Sequence, residues 1–308
     1  MLQTIAGFHL EPTNICTLKC AGCARTRFID KWPEHWKNHS LDIDLVLKFL
    51  DIDLSGKQIH LCGNYGDPIY HSDLINFVLK LKQAGTRILI TTNGSYRSRD
   101  WWQELTQHLD SEDTVRFSID GVPNNFTQYR KNADWPSILT AIETCVASSC
   151  KTVWKYIPFS YNQHSVEQAK KMCKDLGMDT FLLDPSDRFD EQTADLLPTI
   201  NDLLGERFVA MTKWKNKEQE NTVHKLTPRC NTGREHFVTA DGYYSPCCYT
   251  ADHRFYYKNQ FGKNKKLYDI RKFTLSQLLS ESAVIDFHQK LTQHDVCQFN
   301  CPNTESSV

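Results

Sequence analysis

The segment NICTLKCAGC carries Cys16, Cys20 and Cys23 in the spacing C-x3-C-x2-C, three thiols within eight residues. Three thiolates can hold three irons of a [4Fe-4S] cluster and leave the fourth iron open to another ligand. A zinc site closed by His35 or His39 is the competing chemistry, since structural zinc takes four ligands of this kind. Incidental buried cysteines are the third reading.

A second set lies far downstream: Cys230, the adjacent Cys247 and Cys248, then Cys297 and Cys301. Between them EHFVTADGYYSPCCY reads as a hairpin turning at Asp241-Gly242, and TLSQLLSESAVIDFHQKL reads as one helix. A unit this small has a thin core and closes best around a metal. Structural zinc and a second [4Fe-4S] cluster both fit four such ligands. Cys247 suits the ligand position better than Cys248, whose side chain would leave the opposite face of the strand.

The elements that must position these thiols follow a regular order. Strand-like runs at 6–13, 58–63, 86–94, 114–121, 151–159 and 179–186 alternate with amphipathic helical segments starting near Leu41, Ser72, Ser98, Trp135 and His164. Such βα units give a parallel sheet with right-handed crossovers, wound into a barrel or an open layer. In either architecture ligands gather at the C-terminal strand ends. The cysteine loop follows the first strand. Gly63 to Pro68 (GNYGDP) follow the second, Thr92-Asn93-Gly94 the third, and Ser118-Ile119-Asp120-Gly121 close the fourth. Each is an ordinary turn sequence alone; their shared position makes them one rim. Cys62, Cys145, Cys150 and Cys173 read as buried structural thiols, and His60, His71 and His236 as packing residues with a substrate-facing alternative. The aromatics of WWQEL and RFYYKNQF read as core or contact surface. After Ser186 a helical stretch runs into the polar linker KNKEQENTVHK.

Length and composition exclude other classes. The 308 residues, 40% hydrophobic, suffice for a large core. A net charge of −1, from 36 basic and 37 acidic residues, gives no polyanion-binding bias, so no nucleic acid is expected. No apolar run reaches the length of a membrane span and no signal sequence opens the chain. Twelve cysteines without a signal peptide point to the cytoplasm.

The C-x3-C-x2-C loop after the first strand resembles the signature of the radical S-adenosylmethionine (radical SAM) enzymes. Gly66-Asp67-Pro68 is similar to the family's G-E-P motif, with Asp in place of Glu, whose backbone meets the methionine amino group. Ser118-Ile119-Asp120-Gly121 resembles its strand-four motif near the SAM ribose and carboxylate, and Arg130 a family arginine that pairs with that carboxylate. Asn93 joins them in the implied SAM rim. The family usually places an aromatic residue before the third cysteine; here that position is Gly22. Cys230 through Gly242 to Cys247, followed by the late Cys297 and Cys301, looks like the twitch domain, the shortened form of SPASM, and implies one auxiliary [4Fe-4S] cluster on these four cysteines.

The resemblance implies an α/β fold: a partial (β/α)6 TIM-type barrel (1–190), a helical segment and linker (191–225), and a hairpin-plus-helix auxiliary domain (226–308). It implies reductive cleavage of SAM, with an electron from flavodoxin or ferredoxin, to a 5'-deoxyadenosyl radical that removes a hydrogen atom from substrate. The expected substrate is a ribosomally made precursor peptide, to be crosslinked, epimerised or relieved of backbone atoms. Because the first strand starts within ten residues of Met1, any leader-peptide-binding domain is expected on a separate protein. Dehydrogenation of an aminocyclitol or similar polyhydroxy compound is the alternative. Family members acting on GTP end in Gly-Gly, whereas this chain ends CPNTESSV. A non-enzymatic redox carrier or sensor is the alternative of another class; it would not need the strand-end rim.

Overall fold

In the computed structural model, described for residues 5–186, 189–204, 230, 233, 236–252, 259–290, 293, 294, 296, 297 and 301, β-strands and helices alternate as the sequence pattern requires. In chain order these are β1 (Gly7–Leu10), α1 (Ala24–Lys31), α2 (Ile43–Phe49), β2 (Gln58–Leu61), α3 (Leu74–Gln83), β3 (Arg87–Thr92), α4 (Arg99–Thr106), β4 (Thr114–Ser118), α5 (Trp135–Val146), β5 (Lys151–Tyr156), α6 (Val166–Asp175) and β6 (Thr180–Leu183). Then follow β7 (His236–Val238), β8 (Tyr244–Ser245), α7 (Gln260–Lys263), α8 (Leu275–Ser280) and α9 (Ser282–Gln289). The helix starts are set locally: Asp42, Ser98 and Asp134 each accept a backbone N–H of the first turn, the ordinary N-cap.

All eight strands form one sheet in the order β6-β5-β4-β3-β2-β1-β7-β8. Pairing is parallel from β6 to β7, and only β7–β8 is antiparallel. This is the unclosed, mostly parallel sheet of a partial barrel, as expected for the first six strands. The C-terminal hairpin was expected as a unit of its own. It instead extends the same sheet, because β7 pairs in parallel with β1, Phe8 opposite His236 and Leu10 opposite Val238. β1 lies between β2 and β7, so both sets of cysteines are anchored to neighbouring strands.

The single C-terminal helix expected from TLSQLLSESAVIDFHQKL is two. A Thr274–Gln277 capping box starts α8, and Glu281 adopts extended φ/ψ of −65° and 132°, which breaks the run before α9. In the stretch after Ser186, the described residues hold only short 3-10 turns at Ala194–Leu196 and Asn201–Leu203. The remainder of that expected helix, the linker to residue 225 and the aromatics before Gln260 lie outside the described residues.

The two faces of the sheet differ. Phe8, Leu10, Ile59, Leu61, Ile90, Val115, Phe117, Trp154 and Tyr156 are buried on the helix-covered face. The alternate positions of β1, β2, β4 and β5 (His9, His60, Arg116, Ser118, Lys155) are only half-buried, so the inner face lacks a packed cover. Of the four cysteines expected to be structural, Cys145, Cys150 and Cys173 are buried. Cys62 differs, standing half-buried just past β2 at the rim. His71 and His236 are buried, His71 Nε2 against the Leu41 carbonyl and His236 Nδ1 against Tyr244 Oη, whereas His60 is on the open face.

Trp154 links core to rim: its buried indole N–H donates to the Ile119 carbonyl at 2.9 Å, between Ser118 and Asp120. Trp154→Phe removes that donor and part of the ring volume, so it is expected to lower unfolding free energy by about 2–4 kcal/mol. Chemical denaturation checks this; a change below about 0.5 kcal/mol contradicts the pinning role.

Candidate active site

The cysteine loop leaves the C-terminal end of β1 and is held on several sides. Asp67 N–H donates to Ile15 O (3.0 Å), Lys19 N–H to Lys131 O (3.0 Å), and Cys23 N–H closes a turn onto Cys20 O (3.1 Å). Asn14 is buried and spans to the chain before α2, donating to Lys37 O and accepting from His39 N–H. α1 then begins at Ala24, immediately after Cys23. The loop therefore presents its three thiols within one tied turn.

Gly66 explains how the second rim motif comes so close. A Cβ there would lie 1.9 Å from Thr13 O and 2.6 Å from Asn14 Cα, so only glycine allows the approach. The Asp67 side chain is turned inward. Its buried carboxylate accepts from Thr92 Oγ1 (2.8 Å), Asn93 N–H (2.6 Å), Asn93 Nδ2 (2.6 Å) and Ile69 N–H (3.2 Å). Burial raises its pKa, opposed chiefly by the Asn93 N–H. Asn93, so fixed, places Nδ2 3.7 Å from Cys16 Sγ. Pro68 opens the 3-10 turn Pro68–Tyr70. Gly66, Asp67, Pro68, Asn93 and the cysteine loop thus form one hydrogen-bonded group.

The other side of the loop faces β4. Asp120 Oδ2 pairs with Arg130 Nη2 at 2.7 Å, both side chains being largely buried, and Asp120 Oδ1 accepts from Ile157 N–H. Burial raises the Asp120 pKa, offset first by Arg130. Arg130 also faces Cys20, and its Nε is buried without a hydrogen-bond partner. Arg25 Nε is likewise unpartnered and faces Cys16 and Cys20. Ser118 ends β4, half-buried on the inner face.

The Cys16 and Cys20 thiols are both pushed up to about 12, mainly by burial. They are poor thiolates unless a cation compensates them, and binding iron there would release protons. Three thiols with two unsatisfied guanidinium Nε donors beside them fit an iron–sulfur cluster carrying an anionic ligand. Where Gly22 departs from the family pattern, Tyr129 fills the space: a Gly22 Cβ would lie 2.9 Å from Tyr129 Oη. The Tyr129 ring stacks on Phe159 at 4.4 Å, and its hydroxyl pKa is raised, first by burial and then by Cys20. Tyr129 stood in the sequence without a signal, because it is remote from Gly22 along the chain.

The second set also converges. Cys297 is raised first by burial and then by Cys247, Cys230 and Cys301, which places four thiols in one neighbourhood. Cys301 N–H donates to Cys297 O at 2.8 Å, and Tyr244 on β8 faces both Cys247 and Cys230. Cys248 contributes its carbonyl to another purpose, accepting from Asn64 Nδ2 at 2.9 Å. Among the described residues no three His, Cys, Asp or Glu side chains gather tightly enough to hold a single metal ion. A cubane cluster, with four irons between its thiolates, takes a wider spacing than one ion.

One residue of this architecture went unremarked in the sequence. Glu11, just past β1, is 1% exposed. Its Oε1 accepts from Tyr65 N–H (2.8 Å) and Gly66 N–H (3.3 Å), and its Oε2 from Ala240 N–H after β7 (3.3 Å). A single carboxylate therefore holds the second rim motif and the C-terminal hairpin together. Its only signal was an acid at a strand's end.

Comparison with known proteins defines the class. Residues 10–183 match the Radical SAM superfamily, and residues 230–302 match the SPASM iron-sulfur cluster-binding domain. SuiB of Streptococcus suis bound to its precursor peptide SuiA is similar in fold, with a TM-score of 0.65 at 12% identity, covering 94% of this chain and 68% of that one. anSMEcpe with bound AdoMet and a peptide gives 0.61 at 14% identity, covering 94% and 83%. BtrN with AdoMet and 2-DOIA gives 0.53 at 14%, covering 99% and 95%. The tungsten-containing aldehyde ferredoxin oxidoreductase cofactor-modifying protein of Pyrococcus furiosus is 29% identical over 119 residues. That match spans 37% of this chain and 31% of the relative, about a third of its length.

The matched core places the chain in a class of iron–sulfur enzymes that use S-adenosylmethionine. The chain belongs to the radical SAM superfamily, whose cofactors are a [4Fe-4S] cluster and SAM, and its C-terminal part is a domain for auxiliary iron–sulfur. The redox-carrier alternative falls with that membership. Among the described residues no helix is long and apolar enough to cross a membrane.

Burial pushes Glu11 up to about 7 from 4.5, opposed by its backbone donors and reinforced by Asp241. Between these values the folded carboxyl keeps a proton that the unfolded one has lost, so unfolding free energy falls as pH rises from about 4.5 to about 7. Glu11→Gln is expected to flatten this slope, worth at most about 3.4 kcal/mol at 1.36 kcal/mol per pKa unit. Denaturation curves across that window check it, and an unchanged slope refutes the assignment.

Proposed function

We propose that this radical SAM enzyme modifies a ribosomally made precursor peptide, by crosslinking, epimerisation or backbone excision. The carrying observation is the sheet's inner face, only half-buried at positions of β1, β2, β4 and β5, with β6 (Thr180–Leu183) at the far edge and itself half-buried along three of its four residues. A face open at its side admits an extended chain, whereas a closed barrel admits only small molecules. The likeness to folds that hold SuiA and an anSME peptide supports this reading. Dehydrogenation of a small polyhydroxy compound is the second reading. It is favoured by the match to BtrN, which this chain covers to 95%.

In this proposal Cys16, Cys20 and Cys23 hold the SAM-binding cluster, and Cys230, Cys247, Cys297 and Cys301 an auxiliary [4Fe-4S] cluster. Bound there, the first cluster with SAM supplies the radical chemistry that takes a hydrogen atom from substrate. Gly66 and Pro68 shape the backbone that receives the SAM amino group. Asp67 and Asn93 brace that backbone against the cysteine loop, as their hydrogen bonds suggest. Ser118 lies toward the ribose, and Asp120 orients Arg130 toward the carboxylate through its unpartnered Nε. Tyr129 supplies the aromatic surface that Gly22 lacks. A flavodoxin or ferredoxin delivers the electron.

Replacing Cys16, Cys20 and Cys23 together by Ala is expected to abolish 5'-deoxyadenosine formation. Iron should fall from about eight to about four atoms per chain, as one of two four-iron clusters is lost. Full iron content in that variant contradicts the ligand assignment. For the substrate, the reconstituted holoenzyme is incubated anaerobically with SAM, reductant and size-separated cytoplasmic extract. Product formation is expected to rise with the peptide fraction and to vanish after protease treatment. Stimulation by a protease-resistant small-molecule fraction instead selects the dehydrogenase reading.

A further inference from the structure

The half-buried inner face carries more charge than SAM and the clusters account for. Next to the rim, Lys155 on β5 forms an ion pair with Asp184 at 2.5 Å. Asp120 is taken by Arg130, and the Asp67 and Glu11 carboxylates by the N–H and hydroxyl donors described above. Arg116 on β4 remains. It stands two residues before Ser118, about 6–7 Å deeper along the strand, with Thr91 as its register partner on β3 and Val153 on β5. Its Nε is buried without a hydrogen-bond partner, and no carboxylate among the described residues pairs with it.

Among the described residues nothing beside it compensates the charge. His60 lies within electrostatic reach of Arg116, and its Nε2 is 2.8 Å from Thr91 Oγ1. His60 stacks on His9 at 4.7 Å, and His9 Nε2 is 3.2 Å from the Cys62 carbonyl. Burial holds both imidazoles below their ordinary pKa, His9 at about 4, so both are neutral near pH 7. The inner face is thus lined by neutral donors and acceptors, the Lys155–Asp184 ion pair and one guanidinium without a carboxylate. A half-buried guanidinium with no carboxylate partner among the described residues is open to an anionic ligand. A planar guanidinium with free N–H groups suits a carboxylate, which it can bind in bidentate fashion.

We propose that the substrate brings this carboxylate: the part of it that enters the sheet's inner face carries an anionic group that seats on Arg116. This rests on that face being the substrate's place. For a peptide substrate the group is an acidic side chain or the C-terminal carboxylate, set deeper than the SAM rim by the length of two strand residues.

The test uses the SAM-loaded holoenzyme and two matched pairs of probes, measured by calorimetry. N-acetylaspartate amide is compared with N-acetylasparagine amide, and glucuronate with glucose. The acidic member of at least one pair is expected to bind about 10-fold or more tightly than its neutral twin, the scale of one charge-assisted hydrogen bond. Arg116→Gln should remove the preference, and Arg116→Lys, which keeps the charge and loses the planar fork, should retain part of it. Melting curves confirm that both variants fold. The proposal is overturned by the absence of a preference in both pairs, absence of binding included, or by a preference that survives in Arg116→Gln. It is also overturned if Arg116→Gln weakens SAM by as much as it weakens the probe, since the cation then serves the cofactor. A preference confined to glucuronate keeps the carboxylate assignment and counts against a peptide substrate. Equal binding of the two amides, with no preference in the sugars, removes the carboxylate and leaves the peptide reading standing.

Discussion

The Glu11 carboxylate lies where three parts of the chain meet, and it ties the strand-two loop and the end of β7 to β1. A carboxylate 1% exposed with no cation on it carries a desolvation penalty, which three backbone N–H donors partly offset. Those donors come from the second rim motif and from the end of β7. β1 supplies the acid, β2 the loop and β7 the hairpin, and their parallel pairing places the three ends side by side. The interaction is local in space and spans most of the chain in sequence.

From that point two bracing systems run outward. On the SAM side, Asp67 gathers the end of β3 and sets Asn93 against Cys16, while the glycine at 66 lets the strand-two loop touch the cysteine loop. On the auxiliary side, the Asn64 amide donates to the Cys248 carbonyl beside Cys247. The loop from Gly63 to Pro68 therefore has one flank on each thiol set. The two sites are mechanically joined through a few hydrogen bonds, whose buried members are costly to leave unpaired. The open inner face contributes the remaining property, since its neutral histidines and unpaired Arg116 make it receptive to an anion.

Much of this was legible in the sequence because it rests on local rules. The strand-like runs located all six core strands, the amphipathic segments from Leu41, Ser98 and Trp135 located helix starts, and three cysteines in eight residues offered an open cluster site beside a zinc alternative. The resemblance of the loop and rim motifs supplied the enzyme class. The break at Glu281 was not legible, because a helical apolar pattern continues through it and a capping box at Thr274 does not mark where its helix must stop.

What the sequence determined alone was the order of βα units and the three-thiol loop after the first strand. Each follows from residue type and short spacing. Tertiary structure decided the parallel pairing of β7 with β1, the inward turn of Asp67, the replacement of an aromatic at Gly22 by Tyr129, and the isolation of Arg116. These depend on which distant segments the sheet brings within a few ångströms. A carboxylate's partners, an unfilled space or an unpaired charge exist only once the chain has folded around them.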